Sequence, residues 1–207
     1  MIMRTLLVDD DDGVRSALAG LIDREDGLAV VGQAASSAEA LTIASETRPH
    51  VVLTEAILPD GSGAELCREL RSRDPRVGVL LVTSLAADTA FVHASMGGAA
   101  GYLLKPIRQG EVVDAIRRVA EGERLLDTAL MGRILGRLLE APEERDVALQ
   151  IGDKEKRILV LIAEGLTDPE VAERMGIKEE DVKRQTSSLF AKLGIRSGTH
   201  ASPLRGD

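Results

Sequence analysis

Five short apolar runs, none interrupted by a polar side chain, constrain what the first half of this chain can fold into. They are Leu6-Leu7-Val8, Leu28 to Val31, Val51-Val52-Leu53, Val77 to Val82 and Tyr102-Leu103-Leu104. A half-buried strand alternates apolar and polar residues, whereas a strand covered on both faces is apolar throughout. Helical spacing fills the gaps between the runs. Val14, Leu18, Leu21 and Ile22 share one helix face, Ala64, Cys67 and Leu70 a second, and Val112, Val113, Ile116 and Val119 a third. Strict alternation of such strands and helices predicts an α/β domain, a five-stranded doubly wound parallel sheet with helices on both faces.

In an open parallel sheet, ligands bind beyond the carboxyl ends of the strands. The residues falling there are Asp9 and Asp10 after the first run, Glu55 after the third, Thr83 and Ser84 after the fourth, and Lys105-Pro106 after the fifth. Clustered carboxylates suit a hard divalent ion such as Mg2+. A lysine and a hydroxyl beside them suit the oxygens of a phosphoryl group. VDDDDG stands where a glycine-rich phosphate loop would follow the first strand, so the dinucleotide and Walker motifs are missing. Asp60-Gly61-Ser62-Gly63 reads as the turn into the third helix, and Asp11 and Asp12 favour the start of the first.

The second half has a different character. Residues 127–139 read as a helix capped by Asp127, with an apolar stripe at Leu130, Met131, Ile134, Leu135 and Leu138, and Pro142 with its charged neighbours marks a linker. From Asp153 onward the pattern is wholly helical. One helix ends at Gly165; a second opens with Asp168 as N-cap and Pro169 behind it and stops at Gly176; a third runs from Glu179 to Leu193. Short helices joined by tight glycine turns predict an all-α helix-turn-helix domain. Val182, Thr186, Leu189, Phe190 and Leu193 form the inner face of the last helix, leaving Lys183, Arg184, Ser187, Ser188 and Lys192 outward.

The whole net charge of −8 lies in residues 1–144, while residues 145–207 are neutral, so no strongly basic footprint advertises a nucleic acid. Aromatic residues are 1% of the chain, which argues against base stacking on single strands or RNA. Cys67 is the only cysteine, which excludes an intrachain disulfide, and it falls on an apolar stripe as a core residue. His50, His93 and His200 lack metal-ligand spacing, and His93 is expected in solvent. No secretory leader and no run of membrane-spanning length stands out, so a cytoplasmic location without membrane partners is expected.

Taken in order, LLVDDD, LTEAILPDGSG, VLLVTS and GYLLKP resemble the receiver domain of two-component response regulators, over residues 4–122. AEGLT, VAERMGI and KLGI, within residues 151–201, resemble the LuxR/NarL-type DNA-binding domain. The combination resembles a NarL/FixJ-type response regulator. The resemblance implies a receiver-like domain at 1–122, a linker with a helix at 123–150 and a helix-turn-helix domain at 151–207. It implies Mg2+ at Asp9 and Asp10 beside Glu55, phosphoryl contacts from Thr83 and Lys105, and Tyr102 as the switch aromatic. It also implies that Lys183, Arg184, Ser187, Ser188 and Lys192 face the major groove of double-stranded DNA. A second copy of the chain is a further candidate partner.

Departures from the family pattern bear on function. Glu55 stands where the family carries the phosphate-accepting aspartate, and one extra methylene displaces its carboxylate toward Lys105 and Thr83 by over an ångström, enough to disturb attack geometry. Aspartyl phosphorylation, and with it a histidine-kinase partner, is thereby put in question. Glu55 is open to three readings: a mimic of the active state, an ion pair with Lys105 that holds one conformation, or an acidic remnant that has lost its chemistry. In the second domain, Asp168-Pro169 replaces the usual Asn-Lys, Glu180-Asp181 the usual Lys-Thr, and Gly198 the usual Arg, all at the expense of positive charge. The expectation is a DNA-binding transcriptional regulator, atypical in not depending on aspartyl phosphorylation, and not an enzyme. The alternative is an interaction protein that binds no DNA and dimerises with or sequesters a partner regulator.

Overall fold

The computed structural model describes residues 2–126 and 152–192. The expected helix at 127–139, the core of the linker, Leu193 and the segment from Gly194 to Asp207 lie outside the described residues. The first domain runs β1 (Met3–Val8), α1 (Asp12–Ile22), β2 (Leu28–Ala34), α2 (Ser37–Thr47), β3 (Val51–Thr54), β4 (Ile57–Leu58), β5 (Gly61–Ser62), α3 (Gly63–Arg73), β6 (Gly78–Thr83), α4 (Ala87–Gly97), β7 (Gly101–Leu104) and α5 (Gln109–Ala120). Five parallel strands form one sheet in the order β2-β1-β3-β6-β7, and β4 pairs with β5 in a separate two-residue hairpin.

Successive side chains of a strand point to opposite faces, so each apolar run feeds two cores. Leu7, Leu53 and Leu80 meet α1 and α5 through Leu18, Ile22, Val112 and Ile116 on one face. Leu6, Val52 and Leu81 meet α3 through Leu66, Cys67 and Leu70 on the other. Cys67 is fully buried, and burial pushes its thiol up to about 11, the state of an inert core residue.

Local chemistry sets the helix starts. The Asp11 carboxylate accepts from the N–H groups of Gly13 and Val14 and caps α1. Ser62 and Glu65 form a capping box at α3. Asp60 reaches across to accept from the N–H groups of Ser37 and Ala38, which ties the loop after β4 to the start of α2.

The second domain contains α6 (Asp153–Ala163), α7 (Asp168–Met175) and α8 (Glu179–Lys192). Gly176 ends α7 in the left-handed region, φ 66°. One expectation needs correction here: the N-cap of α7 is Thr167, not Asp168. The Glu170 carboxylate accepts from both the N–H and the hydroxyl of Thr167 at 2.7 Å, which releases the Asp168 side chain for a partner in the first domain.

The two domains share a core. Phe91, Val92 and Met96 of α4, with Ala64 of α3, form one buried apolar cluster with Ile158, Leu159, Ile162, Val171, Val182, Leu189 and Phe190. The expectation for His93 is also corrected. The imidazole is buried, at 6% exposure, because α4 is covered on every side from Ala90 onward. Burial alone pushes it down to about 4, and its Nδ1 has no hydrogen-bond partner. Gly97 permits the close approach of α4 to α3, since a Cβ there would lie 2.9 Å from Ala64 Cα. Among the described residues no helix is long and apolar enough to cross a membrane.

Candidate switch pocket and nucleic-acid helix

Asp9, Glu55, Thr83 and Lys105 converge at the carboxyl edge of the sheet, carried there by β1, β3, β6 and β7. Lys105 Nζ donates to Asp9 Oδ2 and to Glu55 Oε2, each at 2.7 Å. The second oxygens are used as well: Asp9 Oδ1 accepts from the Asp11 N–H at 3.0 Å, and Glu55 Oε1 from the Ala56 N–H at 2.7 Å. Burial opposes the charge on Lys105, but the hydrogen bonds to Asp9 and Glu55 outweigh it together and hold the ammonium above its ordinary pKa. The Thr83 hydroxyl is buried and accepts from the Leu85 N–H at 3.2 Å, so it belongs to its own loop rather than to Glu55.

Every oxygen of Asp9 and Glu55 accepts one hydrogen bond, the Lys105 ammonium lies between the two carboxylates, and Asp10 is exposed to solvent. Among the described residues no group of three His, Cys, Asp or Glu side chains is placed to hold a metal. Of the Asp9, Asp10 and Glu55 set expected for Mg2+, Asp9 and Glu55 are thus bridged by a lysine and Asp10 stands outside the bridge.

Gly63 keeps the acceptor loop close to α3. A Cβ on it would lie 2.2 Å from the Glu55 carbonyl oxygen. Tyr102 is half-buried and meets Phe91 edge-on, with ring centroids 6.2 Å apart and planes at 82°. It packs against the same apolar cluster that joins the two domains, so the aromatic expected as the switch lies against the docking surface.

Of the residues holding the domains together, Asp168 was read in the sequence only as an N-cap and a family departure, and Arg68 and Arg71 were not singled out. Arg68 is buried and donates to the Asp168 carboxylate in an ion pair across the interface, and its Nη1 donates to the Met96 carbonyl at 3.3 Å. Burial, reinforced by neighbouring Arg71, pushes Arg68 down to about 10, still a cation at neutral pH. Arg71 Nη1 donates to the carbonyls of Gly98 at 2.8 Å and Gly165 at 3.0 Å, one in each domain. The available signal was an arginine beside Ala64, Cys67 and Leu70 on α3, together with an acid at Asp168.

On α8 the five expected DNA-facing residues split into two groups. Lys183, Arg184 and Ser187 are exposed. Lys183 pairs with Glu179 at 3.0 Å and reaches Glu69 of α3 at 3.7 Å; Glu179 first, and Glu69 with it, raises its pKa. Arg184 pairs with Asp181. Ser188 and Lys192 turn inward instead: both donate to Glu155 of α6, at 3.3 and 2.7 Å. A cleft of about 300 Å³ separates α8 from the first domain, with Ser187 and Lys183 on one wall and Asp60 and Glu69 on the other.

Comparison with known proteins covers both halves. Residues 5–117 match the response regulator receiver domain, and residues 150–203 match the bacterial regulatory proteins of the luxR family. The DNA-binding transcriptional activator DevR/DosR of Mycobacterium tuberculosis is 39% identical over 201 residues, covering 97% of this chain and 93% of that protein. The transcriptional regulatory protein LiaR of Bacillus subtilis is 33% identical over 205 residues, covering 97% and 95%. The solved structure of a LuxR-family two-component response regulator from Aurantimonas sp. is 32% identical, superposes with a TM-score of 0.59, and covers 68% of this chain and 100% of that one.

Proposed function

The chain belongs to the response regulators that join a receiver to a luxR-family DNA-binding domain, and from that premise we propose a DNA-binding transcriptional regulator that switches by undocking its two domains, without aspartyl phosphorylation. The observation that carries this reading is the Lys105 bridge between Asp9 and Glu55. The lysine that would meet an incoming phosphoryl group is already neutralised, and the acceptor position holds a glutamate. Input then comes from whatever shifts the docked arrangement, in which Lys183 of the DNA-reading helix faces Glu69 of the receiver. No histidine kinase is required. Mg2+ has a place only if Lys105 withdraws, with Asp9 and Asp10 as its ligands.

On DNA, α8 enters the major groove with Lys183, Arg184 and Ser187 toward phosphates and base edges, and Ser188 and Lys192 join them once released from Glu155. A second copy of the chain would occupy the second half-site. One observation favours a different reading, an interaction protein that sequesters a partner regulator and leaves DNA alone. The first turn of α8 is Glu179-Glu180-Asp181, and Arg184 is paired to one of those acids.

Fluorescence anisotropy with a labelled duplex from the chain's own promoter, read between about 50 and 200 mM salt, separates the two. The regulator should bind selectively and lose affinity steeply with salt, because each neutralised phosphate releases counterions. Absence of binding at the low-salt end both in the parent and in Arg68→Met, which breaks the Arg68–Asp168 ion pair between the domains, would exclude the regulator reading in favour of sequestration.

A further inference from the structure

The lower edge of the receiver holds a cavity of about 500 Å³ between the C-terminal ends of α2 and α3, remote from the acidic pocket. Its floor is apolar, with Leu41, Leu70 and Val77 among the residues that form it, and three arginines, Arg48, Arg73 and Arg76, stand around it with a single acid, Asp74. A cavity of this size, mostly apolar with a few convergent polar groups, has the build of a small-molecule site.

Arg48 adds an independent observation. Its backbone lies in the left-handed region, at φ 47° and ψ 64°, as the C-cap of α2. Glycine or asparagine takes that position at little cost and arginine does not, so the side chain is kept against a backbone preference. Arg73 pairs with Glu69, and Arg76 grips Asp74 with two hydrogen bonds of 2.9 and 3.0 Å, whereas Arg48 makes no direct ion pair among the described residues and only adds at longer range to the lowering of the Asp74 pKa. A guanidinium that lines an apolar cavity and makes no direct ion pair there is placed to meet an anion.

We propose that this cavity binds a small amphipathic anion, its apolar body against Leu41, Leu70 and Val77 and its carboxylate or phosphoryl head group on Arg48, with Arg76 and Arg73 supporting. The ligand would bridge α2 to α3, the helix that also carries Arg68 and Arg71 to the domain interface. The site stands independently of how the acidic pocket is read.

The full chain is titrated with 8-anilinonaphthalene-1-sulfonate, a fluorescent aromatic anion, and with uncharged N-phenyl-1-naphthylamine. The anion should bind one per chain, and the uncharged dye at least about tenfold more weakly, the worth of a charged hydrogen bond. Arg48→Gly removes the guanidinium while relieving the backbone, so it should keep or raise the melting temperature and weaken the anion about tenfold. Arg118→Gln, on α5 at the opposite face, should leave binding unchanged. Competition by octanoate or by octyl phosphate names the head group, and octanol should compete with neither. Equal affinity of the two dyes, equal displacement by octanol, undiminished binding in Arg48→Gly, or no saturable binding at all would each overturn the proposal.

Discussion

Glu55 and His93 show at residue scale how a single side chain is decided by its surroundings. The Glu55 carboxylate accepts from Lys105 Nζ at 2.7 Å. Shortening it in Glu55→Asp should retract that oxygen by over an ångström and free Lys105 for a phosphoryl oxygen. With acetyl phosphate and Mg2+, the parent chain should stay unmodified by intact-mass measurement, and Glu55→Asp should gain one phosphate. A parent adduct that vanishes in Glu55→Gln would overturn the reading of the pocket. His93 gives a pH dependence of definite sign. Its folded pKa is lowered to about 4 from an unfolded value near 6.5, so its contribution is fully present above pH 6.5 and is lost as pH falls toward 4, while only the unfolded chain takes up the proton. By pH 5 the loss should reach about 2 kcal/mol. Urea denaturation at pH 7 and pH 5 should show it in the parent, and His93→Leu should lose correspondingly less; equal pH sensitivity in both would remove His93 as the cause.

At the scale of elements, α3 binds the acceptor loop at its start and the second domain along its length. Gly63→Ala would press a Cβ to 2.2 Å from the Glu55 carbonyl oxygen. The strain should cost about 1–3 kcal/mol and shift the denaturation midpoint without changing its slope. Further along, the Arg68–Asp168 pair is shielded from water on both sides. Removing one partner strands the other charge, at a cost of about 3–5 kcal/mol to the docked arrangement. Arg68→Met should therefore release the second domain and raise affinity for duplex DNA at least about tenfold, since only the released fraction is competent to bind. Arg68→Met combined with Asp168→Met restores an apolar contact and should bring affinity back down. Unchanged affinity in Arg68→Met would mean that docking does not restrain DNA binding.

For the whole molecule, what could be read in advance follows from how local each signal is. The parallel sheet was legible because a strand buried on both faces must be apolar residue by residue, as in Leu6 to Val8 and Val79 to Val82. The convergence of Asp9, Glu55, Thr83 and Lys105 was legible because strand ends in such a sheet share one edge. Docking was not, since Arg68 and Asp168 are far apart in the chain and Asp168 alone reads as a helix cap. His93 was misplaced because a lone histidine on a helix carries no mark of what will cover it, and α4 is buried on every side from Ala90 onward. The core that the two domains share has a thermodynamic consequence. A three-helix unit as small as α6 to α8 buries little surface of its own, so it is less stable released than docked. Phe91, Val92 and Met96 of the receiver complete its core. The two domains should therefore unfold together. Calorimetry of the full chain should show one transition whose calorimetric and van't Hoff enthalpies agree. Arg68→Met should split it, with the helical unit melting first, and a fragment of residues 151–207 should melt below the temperature at which the same helices unfold in the full chain. Two separate transitions in the parent chain would mean that the interface contributes too little to couple the domains, and the switch would then have to lie elsewhere than in their docking.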